Sequence, residues 1–134
     1  MKILLQLFAA VGVALGIGAN AQPGATAKPT VDFEKDIRPL FESRCYECHG
    51  PKKQKSGLRL DRKSSALKGG DSGKSVLLVG KSAESALIQR VTTTDPDELM
   101  PPKGEKLTSS QIDLLKKWID QGAPWPDEKI EVKH

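Results

Sequence analysis

Apolar and polar positions divide the chain into one continuous apolar run, three helical patterns and the loops between them. Ile3 to Ile17 is almost unbroken apolar sequence, interrupted by Gln6, and it follows the positive start Met1-Lys2. Ala19-Asn20-Ala21 supplies a small-x-small cleavage pattern, so residues 1–21 read as a cleavable export signal. The competing reading is a retained membrane anchor, but the run is short for a span of about 20 residues. Residues 22–30 carry no core pattern and read as a flexible leader. From Asp32, an N-cap residue type, Phe33, Ile37, Leu40 and Phe41 recur at helical spacing. Pro39 interrupts that pattern and predicts a kink, or a short turn feeding a second helix. The pattern runs directly into Cys45.

Beyond it, residues 50–81 are rich in Gly, Ser and Lys, with Leu58, Leu60 and Leu67 as expected anchors. A short helix is expected to open at Asp61 and to end at Gly69-Gly70. Val76-Leu77-Leu78-Val79 reads as a buried extended segment, because no other stretch pairs with it as a strand. A helix is expected after Ser82, with Ala83, Leu87, Ile88 and Val91 on one face. Pro96, Pro101, Pro102 and Gly104 mark residues 92–106 as a loop. The last helix is the best specified. Thr108 and Gln111 form a capping box, Ile112, Leu115, Trp118 and Ile119 form the stripe, and Gly122 with Pro124 ends it. Trp118 and Trp125 read as packing residues. The expected organisation is a signal over 1–21, a leader over 22–30, one all-α domain over 31–126 and a charged tail over 127–134.

Composition adds two constraints. Of the 134 residues only 4% are aromatic, and one of these, Phe8, lies in the signal. A domain this poor in large side chains must bury most of its apolar residues to offset chain entropy, and a large apolar cofactor in the core would ease the deficit. The net charge of +4, with no interleaving of aromatic and basic residues, gives no basis for nucleic-acid binding. No second apolar run follows the signal, so no membrane span is expected after cleavage.

Cys45-Tyr46-Glu47-Cys48-His49 carries the chemistry. Two thiols three residues apart can form thioethers to the two vinyl groups on one edge of a haem, and the adjacent His then serves as proximal iron ligand. Export agrees, since c-type haem is attached outside the cytoplasm. The expected cofactor is one covalent haem c, held by Cys45 and Cys48 and ligated by His49, whose second ring nitrogen should donate to a backbone carbonyl. Two other readings compete. A structural or catalytic disulfide would suit a thioredoxin-like sheet, but no sheet pattern surrounds the motif. Zinc would need a fourth ligand and would have to be chelated by the adjacent Cys48 and His49.

Met100 is the one Met outside the signal and lies in a Pro-stiffened stretch, Leu99-Met100-Pro101-Pro102, which makes it the candidate sixth ligand. His134, or an open iron site, is the alternative. Lys52, Lys53, Lys55, Arg59, Arg62, Lys63 and Lys68 crowd the segment after the motif, against Asp61 alone. They suit haem propionates or an acidic redox partner, or simply form a solvated loop. Arg59, flanked by the anchors Leu58 and Leu60, is the candidate propionate contact.

These residues resemble a known family. Asp32-Phe33-Glu34-Lys35-Asp36-Ile37-Arg38-Pro39, then Cys45-Tyr46-Glu47-Cys48-His49-Gly50, Gly57-Leu58-Arg59-Leu60-Asp61, Gly69-Gly70-Asp71, Asp95-Pro96-Asp97-Glu98-Leu99-Met100-Pro101-Pro102 and Trp118-Ile119-Asp120-Gln121-Gly122-Ala123 occur in order. Together they resemble the planctomycete-type cytochrome c domain, a branch of the class I cytochromes c, from about Val31 to Trp125. Gly80-Lys81-Ser82 departs from it by lacking the Pro that often follows that Gly. In this branch the domain usually opens a much larger chain, so service as the internal relay of an enzyme is not the expectation here. The resemblance implies an all-α fold with helices packed around covalent haem, axial ligands His49 and Met100, and electron transfer without catalysis. The expected protein is therefore an exported, periplasmic monohaem cytochrome with redox protein partners. A haem-based ligand sensor and a thiol-disulfide oxidoreductase are the alternatives.

Overall fold

The computed structural model describes residues 30–126, together with Gly12 and Gly16. The expected signal, nearly all of the leader, the tail and His134 lie outside the described residues. Those described form helices and turns with no β-strand, as an all-α reading requires. None of their helices is long and apolar enough to cross a membrane.

The first helical pattern folds as a widened π-turn, Phe33–Ile37, leading into α1, Arg38–Arg44. Asp32 caps the turn by accepting from Lys35 N at 2.9 Å, and Asp36 returns the favour by accepting from Asp32 N at 2.8 Å. A proline ring clashes with the carbonyl four residues earlier in a regular helix. Here the wide turn precedes Pro39, and the Arg38 N–H reaches back five residues to Phe33 O. Pro39 then sits in the first turn of α1, where a missing N–H costs little. Phe33, Ile37, Leu40 and Phe41 are all buried, as their spacing predicts.

The last helix, α5, spans Ser109–Asp120. Both halves of its capping box are made: Gln111 N donates to Thr108 Oγ1 at 3.2 Å and Thr108 N donates to Gln111 Oε1 at 2.9 Å. Leu115, Trp118 and Ile119 are buried and Ile112 is half-buried. The two ends of the domain meet in an aromatic cluster. Phe33 stacks on Trp125 at 4.6 Å between ring centroids, and Phe41 meets Trp118 edge-on at 6.0 Å. Gln121 adds a polar clasp, donating from Nε2 to Val31 O at 2.7 Å.

Between these ends the structure corrects three expectations. The short helix α3 covers Lys63–Lys68 and opens two residues after Asp61, whose carboxylate is engaged by Arg59. Its buried residue is Ala66, while Leu67 faces outward. The segment after Ser82 first forms a 3₁₀ turn, Ser82–Glu84, with Ala83 exposed, and α4 follows over Ala86–Thr92 with Leu87, Ile88 and Val91 buried. Asp120 holds that turn by accepting from Ser82 N and Ser82 Oγ, both at 2.9 Å. Only Leu77 of the 76–79 run is fully buried; Leu78 and Val79 are exposed. Fully buried Ser85 is satisfied by donating to Lys81 O and accepting from Leu78 N, each at 2.9 Å.

Two motif segments close on each other next to the attachment turn. Asp71 N donates to Ser56 O at 2.8 Å, and a side chain at Gly70 would place its Cβ 2.2 Å from that same oxygen. A glycine is required there so that the two backbones can approach.

Candidate functional site

α1 ends at Cys45, whose φ of −125° departs from helical values, and the short helix α2, Tyr46–His49, follows. The Cys45 carbonyl accepts from Cys48 N at 3.2 Å and from His49 N at 2.9 Å, so both thiols and the imidazole belong to one helical turn. Residues three and four apart on a helix share a face. Gly50 ends the turn, and a Cβ there would lie 2.4 Å from Tyr46 O. Gln54 Nε2 braces the following loop by donating to Gly50 O at 2.8 Å. The His49 carbonyl accepts from Leu60 N at 2.8 Å, which draws the Arg59 segment alongside the turn.

The electrostatics of the turn suit a bound group. Burial lowers the pKa of His49, opposed by the nearby carbonyls of Leu58 and Lys55, so the ring is neutral at pH 7. Neutral imidazole is the metal-ligating form. Its Nδ1 is buried without a hydrogen-bond partner. The carbonyls of Leu58 and Lys55 act on the ring as hydrogen-bond acceptors, so the kind of acceptor the expected bond needs stands beside it. Burial pushes the Cys45 thiol up to about 12 against the charge of Arg44. A thiol held protonated attacks disulfides poorly. A thioether has no proton to lose, so the same burial does not oppose it. Burial also pushes the Tyr46 phenol up to about 12, against the charge of Arg38. Arg38 Nε is paired with Glu34 Oε2 at 2.6 Å, and among the described residues the other buried side-chain atoms lacking a hydrogen bond are Arg44 Nε, Tyr46 Oη and His49 Nδ1, all within the α1–α2 segment. Buried polar atoms are ordinarily paired. Their concentration here, with two thiols and an imidazole as the donor set, fits a segment that a covalently held haem would complete.

Met100 is half-buried and packs against the core. Its N–H donates to Arg90 O at 2.8 Å, after a turn in which Asp95 O accepts from Leu99 N at 3.0 Å. The Met100 loop is tied to the attachment segment by Arg44, whose Nη2 lies 2.7 Å from Glu105 Oε2. Arg59 forks onto Asp61, with Nε to Oδ1 at 2.9 Å and Nη2 to Oδ2 at 2.5 Å. The structure therefore gathers Cys45, Cys48 and His49 in one turn, joins the Met100 loop to it through an ion pair, and commits Arg59 to a carboxylate on its own segment. A cavity of about 680 Å³ lined by Val31, Phe33, Leu67, Leu77, Val79 and Trp125 includes none of these five residues.

An all-α domain that presents two thiols and an imidazole in this pattern has the donor set of a c-type cytochrome. Residues 45–104 match the family model described as Planctomycete cytochrome C. Covalently bound haem c and electron transfer go with such a domain. The match covers a little under half of the chain and leaves out α1 and α5. No curated protein and no solved structure matches the chain.

Sequence reasoning did not single out Arg44, Glu105, Gln54 or the buried phenol of Tyr46. Arg44 could have been flagged by its place before Cys45, whereas nothing local marks Glu105 as its partner. The Arg59–Asp61 pair carries a pH signature. Burial raises the Asp61 pKa, but the hydrogen bonds and charge of Arg59 outweigh it, and the net shift is downward. A carboxylate with a depressed folded-state pKa stabilises the fold above its unfolded value near 4 and loses that contribution as pH falls through the folded value. Asp61→Asn is expected to cost about 1 kcal/mol at pH 7 and less at pH 3. Denaturant titrations of both proteins at the two pH values check this, and an equal loss at both would rule out the ion pair as the cause.

Proposed function

We propose that this chain is an exported monohaem c-type cytochrome that passes single electrons between protein partners. Cys45 and Cys48 would hold the haem through thioethers, and His49 and Met100 would ligate its iron. The observation that carries this reading is the single turn containing both thiols and a half-buried imidazole. The haem, when bound, supplies a one-electron ferrous–ferric couple. The protein's own residues hold it and tune it. The turn at Cys45 fixes the spacing of the thiols, burial keeps His49 neutral for ligation, and the Met100 sulfur favours the ferrous form. With His49 and Met100 both engaged, added ligands would bind weakly, which suits electron transfer more than catalysis. The exposed Lys52, Lys53, Lys55 and Lys68 favour a partner with an acidic docking surface. The apolar run at residues 3–17 and the cleavage pattern at 19–21 support export to the periplasm.

The test is a visible spectrum of oxidised and dithionite-reduced protein, expressed for export with the haem c maturation machinery. Haem that resists acid-acetone extraction is expected, one per chain, with sharp low-spin bands on reduction and the near-red charge-transfer band of Met ligation on oxidation. Strong carbon monoxide binding by the reduced wild type would favour a ligand-sensing role instead. Absence of covalent haem would overturn the reading.

A further inference from the structure

The haem reading leaves open what holds the sixth ligand in place. Met100 sits in a loop whose other anchors run to α4, through Met100 N to Arg90 O, or stay within the loop, through Lys106 Nζ to Pro101 O. One contact instead reaches the attachment segment. Arg44, immediately before Cys45, meets Glu105 across 61 residues of sequence at 2.7 Å. Arg44 is fixed on the protein side, with 23% of its side chain exposed, while Glu105 is 80% exposed. The Arg44 charge is also felt at the Cys45 thiol, so the pair stands close to the attachment turn.

We propose that the Arg44–Glu105 ion pair is a strap that joins the Met100 loop to the attachment turn and sets how readily Met100 leaves the sixth position. The proposal rests on the haem reading above. Moving the loop away from the turn separates the two charges, so the pair favours the closed loop without touching the iron. Arg44 and Glu105 are positioning residues. An exposed pair of this kind shifts a two-state equilibrium about two- to fivefold. An incoming ligand must wait for the open state, so its apparent affinity reports the same factor. The effect should fade in high salt, which screens exposed charges.

The experiment is an imidazole titration of the ferric holoprotein, followed by loss of the Met charge-transfer band. Wild type, Glu105→Gln, Arg44→Gln, the double variant, and Glu84→Gln as a control for an exposed pair with Lys81 are compared at low salt and at high salt. Glu105→Gln is expected to bind imidazole about two- to fivefold more tightly at low salt, with the difference lost at high salt. Adding Glu105→Gln to Arg44→Gln should change nothing further, Glu84→Gln should match wild type, and far-UV melting midpoints should stay together. A wild type lacking the Met band would remove Met100 ligation, and the strap with it. A band present in wild type with Glu105→Gln affinity unchanged, or with the same gain in the Arg44→Gln background, would overturn the strap alone.

Discussion

Replacing Trp118 by Ala is expected to destabilise the domain by about 3–5 kcal/mol, close to the loss typical of a large aromatic residue removed from a packed core. Trp118 is fully buried and touches three other rings, with centroid distances of 5.7 Å to Phe33, 6.0 Å to Phe41 and 5.6 Å to Trp125. Its Nε1 donates to Pro124 O at 2.9 Å. Truncation opens a cavity where α5 meets the π-turn and α1, and it strips that carbonyl of its donor. Small domains are stable by roughly 5–15 kcal/mol, so the loss is a large share of the whole. Trp118→Phe keeps most of the ring contact and gives up the hydrogen bond, and it should recover more than half of the loss. Guanidinium unfolding followed by far-UV circular dichroism checks both variants, with unchanged slopes confirming a comparison of like transitions. A loss below about 1 kcal/mol for the Ala variant would mean that the aromatic cluster lies outside the cooperative core. The result also bears on the domain's extent. Phe33, Phe41, Trp118 and Trp125 all fall outside residues 45–104, so the cluster tests whether the flanking segments are structural partners of the matched one.

What the sequence disclosed was whatever is encoded locally. The capping box of α5 needs two residues three apart, its stripe needs only helical period, and the attachment motif needs five consecutive positions. The capping box and the stripe are present in the structure, and the five motif positions fall in one turn. The deviation at Pro39 was legible because a proline's clash reaches only one turn back. The misread places depend on distant partners. The turn at Ser82–Glu84 is held by Asp120, 38 residues away, and no periodicity announces such a contact. Between Ala66 and Leu67 the larger side chain looked like the anchor, but the closeness of the facing backbones admits the smaller one: Val76 N reaches Ala66 O at 3.0 Å. The pairing of Arg59 with Asp61, two residues away, is likewise set by side-chain geometry rather than by any period in the sequence. Charged side chains carry no periodic signal that names their partner, and for the same reason the Arg44–Glu105 pair stayed hidden.

Met100→Leu is expected to abolish the near-red charge-transfer band, lower the reduction potential by on the order of 100 mV, and raise ferric cyanide affinity on the order of 100-fold. The size of each follows from what the thioether does. A sulfur ligand that favours the ferrous form by one to two factors of ten contributes about 59 mV per factor in a one-electron couple. A sixth position that is open about 1% of the time reduces apparent ligand affinity by that fraction, and removing the competing ligand restores it. Leu is the informative substitution because Met100 packs against the core, and a side chain of similar volume removes the sulfur while keeping most of that contact. Met100→Ala would mix ligand loss with a packing loss. The Arg90 O bond to the residue 100 backbone survives either change, so the loop keeps its path. Voltammetry and a cyanide titration of ferric wild type and variant read the two effects separately. A potential and an affinity both unchanged in Met100→Leu would take Met100 out of the site and return the sixth position to His134 or to an open iron. A raised affinity with an unchanged potential would place Met100 as a steric guard of the sixth position rather than its ligand.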